Sequence, residues 1–177
     1  VAVSLYLPKP SQPAGFHFDA RETAYVADGD LTGAAQLPAT ASQWSTRVYV
    51  SGLVVETPTP PATVVALGDS ITDGNGSTPG ANTRWPDALA ERLAPRGVGV
   101  LNAGISGGRL MKDGKGRAGL ERAGRDAFAQ PGVRAVIVLL GTNDIGWPGG
   151  PFAPQEPAVR AEELIQGFRQ LIALAHA

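Results

Sequence analysis

The chain has 177 residues, a formal net charge of −1, 43% hydrophobic and 18% charged residues, 23 glycines, 15 prolines and no cysteine. That is enough chain for one domain or a little more, with the apolar content to bury a core and the glycine and proline of a loop-rich protein rather than a helical bundle. The charge balance argues against nucleic acid or an anionic membrane surface as partner, the missing cysteines exclude a disulfide framework and thiolate metal sites, and no apolar run approaches the roughly 18 residues of a membrane span.

Residues 1–8 alternate, with Val1, Val3, Leu5 and Leu7 on one face, which predicts a half-buried strand stopped by Pro8. The same stretch has neither the basic start nor the long apolar centre of a signal peptide. RETAYVADGDLTG, 21–33, predicts a short strand and a turn. STRVYVSGLVVET, 45–57, predicts a second β stretch in which Gly52 marks a bulge. No helical period precedes residue 57, so residues 1–57 are expected to be part of a β-rich accessory module. PTPPA, 58–62, is stiff, cannot continue a ladder and reads as a linker.

Beyond the linker the pattern changes. A strand at 63–67 precedes a helix over 84–94, with Trp85, Ala88, Leu89 and Leu93 on one face. A strand near 98–102 leads to a helix near 118–129, with Leu120, Ala123, Ala127 and Phe128 on one side. The most apolar strand, 134–140, precedes a helix over 157–175 that should bury Leu164, Phe168, Leu171, Ile172 and Ala175. Near-continuous apolar strands alternating with helices predict an α/β domain over 63–177: a three-layer α/β/α, doubly wound parallel sheet of flavodoxin-like kind with right-handed crossovers.

In such sheets ligands sit beyond the carboxyl ends of the strands. All three polar clusters fall there: GDSITDG after the first strand, NAGISGG after the second and GTNDIG after the third. Ser70, just past a buried strand with Gly68 behind it, is placed as a nucleophile would be, or as the N-cap of a helical turn with Asp73 three residues on. Asn143 can donate its amide to a developing oxyanion, or hold an Asx turn. Gly107 lets a backbone N–H approach a ligand, or simply makes a turn. Asp69, beside Ser70, and Trp147, followed by Pro148, are candidates for a pocket wall, with Trp147 equally able to cover the core.

Other readings of the glycines fail in detail. GDSITDGNGS has no GK[ST] and is not a phosphate loop. Asp73, Asn75 and Ser77 are spaced like the start of a calcium loop, but its twelfth position holds Arg84 rather than glutamate. The two histidines, His17 and His176, lie far apart near the chain ends, so a histidine metal site is not expected.

Together these residues resemble the SGNH/GDSL hydrolases, a superfamily of serine esterases and lipases. GDSIT is similar to the first block and implies Ser70 as nucleophile. NAGISGG is similar to the second and implies a backbone N–H from Gly107. GTND is similar to the third and implies the side-chain N–H of Asn143, with the N–H of Ser70 completing an oxyanion hole. The wider context, TDGNGSTPGANTRWPDALAERL and GTNDIGWPG, resembles a subgroup of secreted esterases with a β-rich module before the catalytic domain. The resemblance implies metal-free hydrolysis of carboxylic esters, with acetyl or another short acyl group in a small-molecule or carbohydrate substrate, and an extracellular setting.

One block of the pattern is missing. The family's D-x-x-H, which supplies the acid and the general base, does not occur: the residues three before His17 and His176 are Ala14 and Ala173. Three strands are also fewer than the usual five or so of a doubly wound sheet. The expectation is therefore an internal segment of a longer protein, whose remainder brings the missing strands and the histidine. The alternative is a non-catalytic carbohydrate-binding module on a degenerate hydrolase scaffold.

Overall fold

A computed structural model describes residues 2–58 and 62–177, so most of the expected linker, residues 59–61, lies outside the described residues. The chain divides into two units, Val1–Val54 with Thr78–Ala81, and Val55–Ser77 with Asn82–Ala177.

The first unit contains two antiparallel pairs of short strands. β1 (Phe16–His17) pairs with a strand at Arg47–Val48, and β2 (Ala24–Val26) with β3 (Ser42–Trp44), the Arg47–Val48 strand being β4. Ala20 is buried between them in sequence, its N–H donating to Ser45 O at 2.9 Å. The strand at β2 lies where the sequence predicts it. The strand expected over 1–8 does not form among the described residues, and Val3, Leu5 and Leu7 are exposed. Of the stretch 45–57 only Arg47–Val48 pairs; Leu53, Val54 and Val55 are exposed, and Gly52 lies outside any ladder and makes no bulge. Alternation says which face a strand would bury, not whether a partner strand is available.

The second unit is built on three parallel strands, β5 (Ala62–Gly68), β6 (Val98–Gly104) and β7 (Val133–Leu139), in the order β6-β5-β7. β5 is central, which is why Val65, Ala66 and Leu67 are fully buried. Leu67 stands opposite Ala103 on one side and Val138 on the other. Among the described residues five α-helices accompany the strands: α1 (Ser70–Asp73), α2 (Trp85–Leu93), α3 (Gly119–Ala123), α4 (Thr142–Gly146) and α5 (Ala161–Ala175). The chain steps from β5 to β6 on one side and then across to β7 on the other. Right-handed crossovers in opposite directions put α2 and α3 on opposite faces, the doubly wound arrangement that the sequence predicts. No helix among the described residues is long and apolar enough to cross a membrane.

Leu67, Leu110, Ala123 and Leu171 form the centre of the core, with Val136, Val138 and Phe168 packed against it. Two helices depart from expectation. The helix over 118–129 is α only to Ala123 and continues as a π-helical turn, Gly124–Phe128, with Ala129 N–H reaching Gly124 O at 2.9 Å. The wider turn keeps Ala127 and Phe128 against the core. α5 starts at Ala161 rather than 157, where Glu163 accepts the Arg160 N–H at 2.8 Å and so caps the first turn. It buries Gly167 and Leu171, but Ile172 and Ala175 are exposed.

Candidate active site

The first polar cluster begins where β5 runs out. A Cβ on Gly68 would lie 2.0 Å from Thr72 Oγ1 and 3.1 Å from Leu139 O, so only glycine lets the strand end this tightly beneath α1. Asp69 then caps the helix, its Oδ1 accepting the Ile71 N–H at 2.9 Å. Ser70 is therefore the first helical residue and not the N-cap, which corrects the capping alternative read from the sequence. It is half-buried; among the described residues its hydroxyl makes no hydrogen bond, and its N–H is one of the donors that a helix N-terminus leaves unpaired. Asp69 is 1% exposed. Burial, with the charge of Asp144 adding to it, pushes its carboxyl above the ordinary aspartate value against the Ile71 N–H, which pulls it down.

The second cluster follows β6. Ile105 N–H donates to Gly68 O at 3.0 Å, carrying the β5–β6 pairing one residue past the sheet. Residues 105–108 then form a turn closed by Gly108 N–H to Ile105 O at 2.8 Å, with Gly107 at φ +75°. That positive φ is what a type II turn needs at this position. Ser106 donates both its N–H and its hydroxyl to Asp73 Oδ2, at 3.0 and 2.6 Å. Among the described residues the Gly107 N–H has no partner.

The third cluster follows β7. Asp69 N–H donates to Leu139 O at 3.3 Å, Gly141 turns the chain at φ +108°, and α4 begins. Asn143 Nδ2 donates to Gly108 O at 2.9 Å, which uses one of its two amide hydrogens. Asp144 accepts the N–H groups of Leu110 at 2.7 Å and Met111 at 3.2 Å. The segment carrying Gly107 is thus held from α1 by Asp73 and from α4 by Asn143 and Asp144. A Cβ on Gly108 would lie only 3.6 Å from Asp69 Cα, so this segment packs directly on the chain leading into Ser70.

Arg122 ties the strand ends together from below. Its side chain is 1% exposed and donates to Gly68 O at 2.8 Å and Ala103 O at 2.7 Å, with Asp126 at 3.4 Å. Burial pulls the guanidinium below its ordinary value and Asp126 opposes this. Trp147 packs over the Gly107 turn: a Cβ on Gly107 would stand 3.0 Å from the indole and 3.0 Å from Lys115. The indole also stacks on Phe152 at 5.0 Å and lies 5.2 Å from the Arg109 guanidinium. A cavity of about 340 Å³ is lined by Arg109, Lys112, Asp144, Pro148, Glu156 and Arg160 among others, and neither Asp69 nor Trp147 lines it.

Ser70, Gly107 and Asn143 therefore arrive at one edge of the sheet. Sequence reasoning missed three residues that hold them there. Asp144 was hidden beside Asn143 in the same motif. Arg122 left only its spacing to Asp126, four residues on, since it lies off the side carrying Leu120, Ala123, Ala127 and Phe128. Ser106 left none beyond its place before Gly107.

The model of the GDSL-like lipase/acylhydrolase family matches residues 66–177, all three clusters included. The chain belongs to this family. Among solved structures it is similar to AlinE4, an SGNH-hydrolase family esterase, at 24% identity over 68% of this chain and 56% of that one, with a TM-score of 0.51. A carbohydrate acetylesterase family member from Sinorhizobium meliloti matches at 21% identity over 64% of this chain and 53% of that one, TM-score 0.49. The acetyl xylan esterase AlAXEase matches at 23% identity over 64% and 52%, TM-score 0.44. No curated protein matches the chain. The chain spans a little over half the length of the solved structures it resembles, 56% for AlinE4.

Proposed function

We propose that this family member hydrolyses carboxylic esters of short acyl groups, with Ser70 as nucleophile. The observation that supports this is the convergence at one sheet edge of a serine hydroxyl without a partner and three N–H donors with spare capacity, on Ser70, Gly107 and Asn143. Ser70 Oγ attacks the ester carbonyl, and the electron pair of the C=O bond moves onto oxygen. The oxyanion is held by the N–H groups of Ser70 and Gly107 and the second amide hydrogen of Asn143. Collapse expels the alcohol and leaves an acyl-serine, which water then hydrolyses. The indole of Trp147 over the Gly107 turn narrows the space beside this site and favours a short acyl group such as acetyl.

The hydroxyl still needs a proton acceptor. His17 Nδ1 pairs with Arg47 Nη2 at 3.2 Å and His176 follows the last turn of α5. On this reading the base is a histidine outside these 177 residues, residues 63–177 belong to the hydrolase domain, residues 1–57 form a β-rich accessory module, and the protein is secreted. The test is turnover of p-nitrophenyl acetate. The 177-residue chain should be far slower than a form that carries the histidine. In the latter, Asn143→Ala should lower kcat by about a hundredfold or more with little change in KM, since one oxyanion donor is worth roughly 3 kcal/mol. Ser70→Ala should abolish turnover. Turnover that survives Ser70→Ala would remove the proposal.

A further inference from the structure

We infer that Asp73 is a positioning residue that couples the oxyanion-binding turn to the nucleophile, an inference that rests on the ester-hydrolase function proposed above. Asp73 ends α1, and Ser70 begins it. The helix is a single turn, held by Asp73 N–H to Asp69 O at 2.9 Å and by Gly74 N–H to Ser70 O at 3.0 Å. Asp73 is 5% exposed, and its Oδ2 takes both the N–H and the hydroxyl of Ser106.

The consequence lies in the next peptide. Ser106 and Gly107 are the two central residues of the 105–108 turn, and the peptide between them carries the Gly107 N–H. In a β-turn this central peptide is the freest part, since its rotation separates a type I from a type II turn and reverses the direction of that N–H. Two bonds to one carboxylate oxygen fix the backbone and the side chain of Ser106 together. With the positive φ of Gly107, they leave the peptide one orientation. The backbone of Asp73 also lies close against β6: a Cβ on Gly104 would lie 2.3 Å from its N atom, so the helix rests directly on that strand. One turn of helix thus sets both where Ser70 stands and where the Gly107 N–H points.

The test compares Asp73→Asn, Asp73→Ala and Ser106→Ala in the form of the enzyme whose p-nitrophenyl acetate turnover depends on Ser70. It measures kcat and KM together with amide hydrogen exchange of residues 105–108. Asp73→Ala should lower kcat by about a hundredfold, the size of a lost oxyanion donor. Asp73→Asn and Ser106→Ala should each lower it by about tenfold, as each leaves part of the anchor. KM should hold within about twofold, and exchange at 105–108 should rise in all three while the fold remains. A folded Asp73→Ala variant with unchanged kcat, or one that raises KM and spares kcat, overturns the inference. Should Asp73→Ala fail to fold, Ser106→Ala decides, because it removes the hydroxyl's bond and leaves the carboxylate in place; unchanged kcat and exchange there would overturn it equally. Ser70→Ala separates the two levels: if Ser70 proves dispensable the hydrolase function falls, whereas an essential Ser70 with an indifferent Asp73 overturns this inference alone.

Discussion

Replacing Gly104 by alanine tests whether α1 is set by direct backbone contact with β6. The new Cβ would stand 2.3 Å from Asp73 N and 2.7 Å from both Asp73 Cα and Thr72 C. All three are backbone atoms, so no side-chain rotation relieves the clash. The helix has to move by about 1 Å to restore ordinary contact in a close-packed interior. Overpacking of this kind costs about 1–3 kcal/mol, and a backbone obstacle places Gly104→Ala in the upper half of that range. At roughly 2–4 °C per kcal/mol for a chain of this length, Tm should fall by about 5–10 °C. The same displacement moves Ser70 against the Gly107 turn, and about 1 Å of misplacement is worth about a hundredfold in rate. Gly99 supplies the control on the same strand, since the nearest atom to a Cβ there is Ala62 O at 4.0 Å. Gly99→Ala should therefore leave Tm within about 1 °C and turnover unchanged, because ordinary van der Waals contact carries no overpacking cost. Thermal unfolding by circular dichroism and p-nitrophenyl acetate kinetics measure both. A Gly104→Ala variant as stable and as active as the parent, or a Gly99→Ala variant that loses as much, would refute the reasoning.

Asp69→Asn tests the buried cap. Because the folded carboxyl lies above its ordinary value of 3.8, the stability it contributes is present below that pH and is lost as pH rises through the folded value. Asparagine caps comparably without the charge, so Asp69→Asn should have the higher Tm at pH 7, with the gap closing below about pH 4; a gap that grows in acid would contradict the sign. Arg122→Met leaves Gly68 O and Ala103 O without their guanidinium donor, while Asp126 keeps its closer partner Arg125 at 2.6 Å. It should cost about 1–3 kcal/mol in urea unfolding, the range for hydrogen bonds lost from buried acceptors, and a variant of parental stability would show that the clamp is dispensable. Asp144→Ala leaves the N–H groups of Leu110 and Met111 unpaired, the first of them buried, and should cost about 1–3 kcal/mol with faster hydrogen exchange at 110–111. Exchange at parental rates there would return Asp144 to the surface of the problem.

The sequence by itself determined the parallel sheet and the edge at which the chemistry gathers. Val64–Leu67 and Val136–Leu140 are continuous apolar runs, and the helices between the strands make them parallel, although Ile137 and Leu139 on one face of β7 are exposed. Parallel strands then bring GDS, NAG and GTND to the same end without further information. The first 57 residues were less legible, because an alternating run such as Val3–Leu7 records a face and not a partner. Tertiary structure alone decided which polar groups satisfy one another. Asp73 finds Ser106 across 33 positions, Asp144 finds Leu110 across 34, and Arg122 finds Gly68 O across 54. Nothing in the local pattern of any of these residues names its partner. A buried carboxylate or guanidinium is tolerated only where a donor or acceptor lies within about 3 Å, and that distance exists only after the strands have paired and their ends have closed on one another.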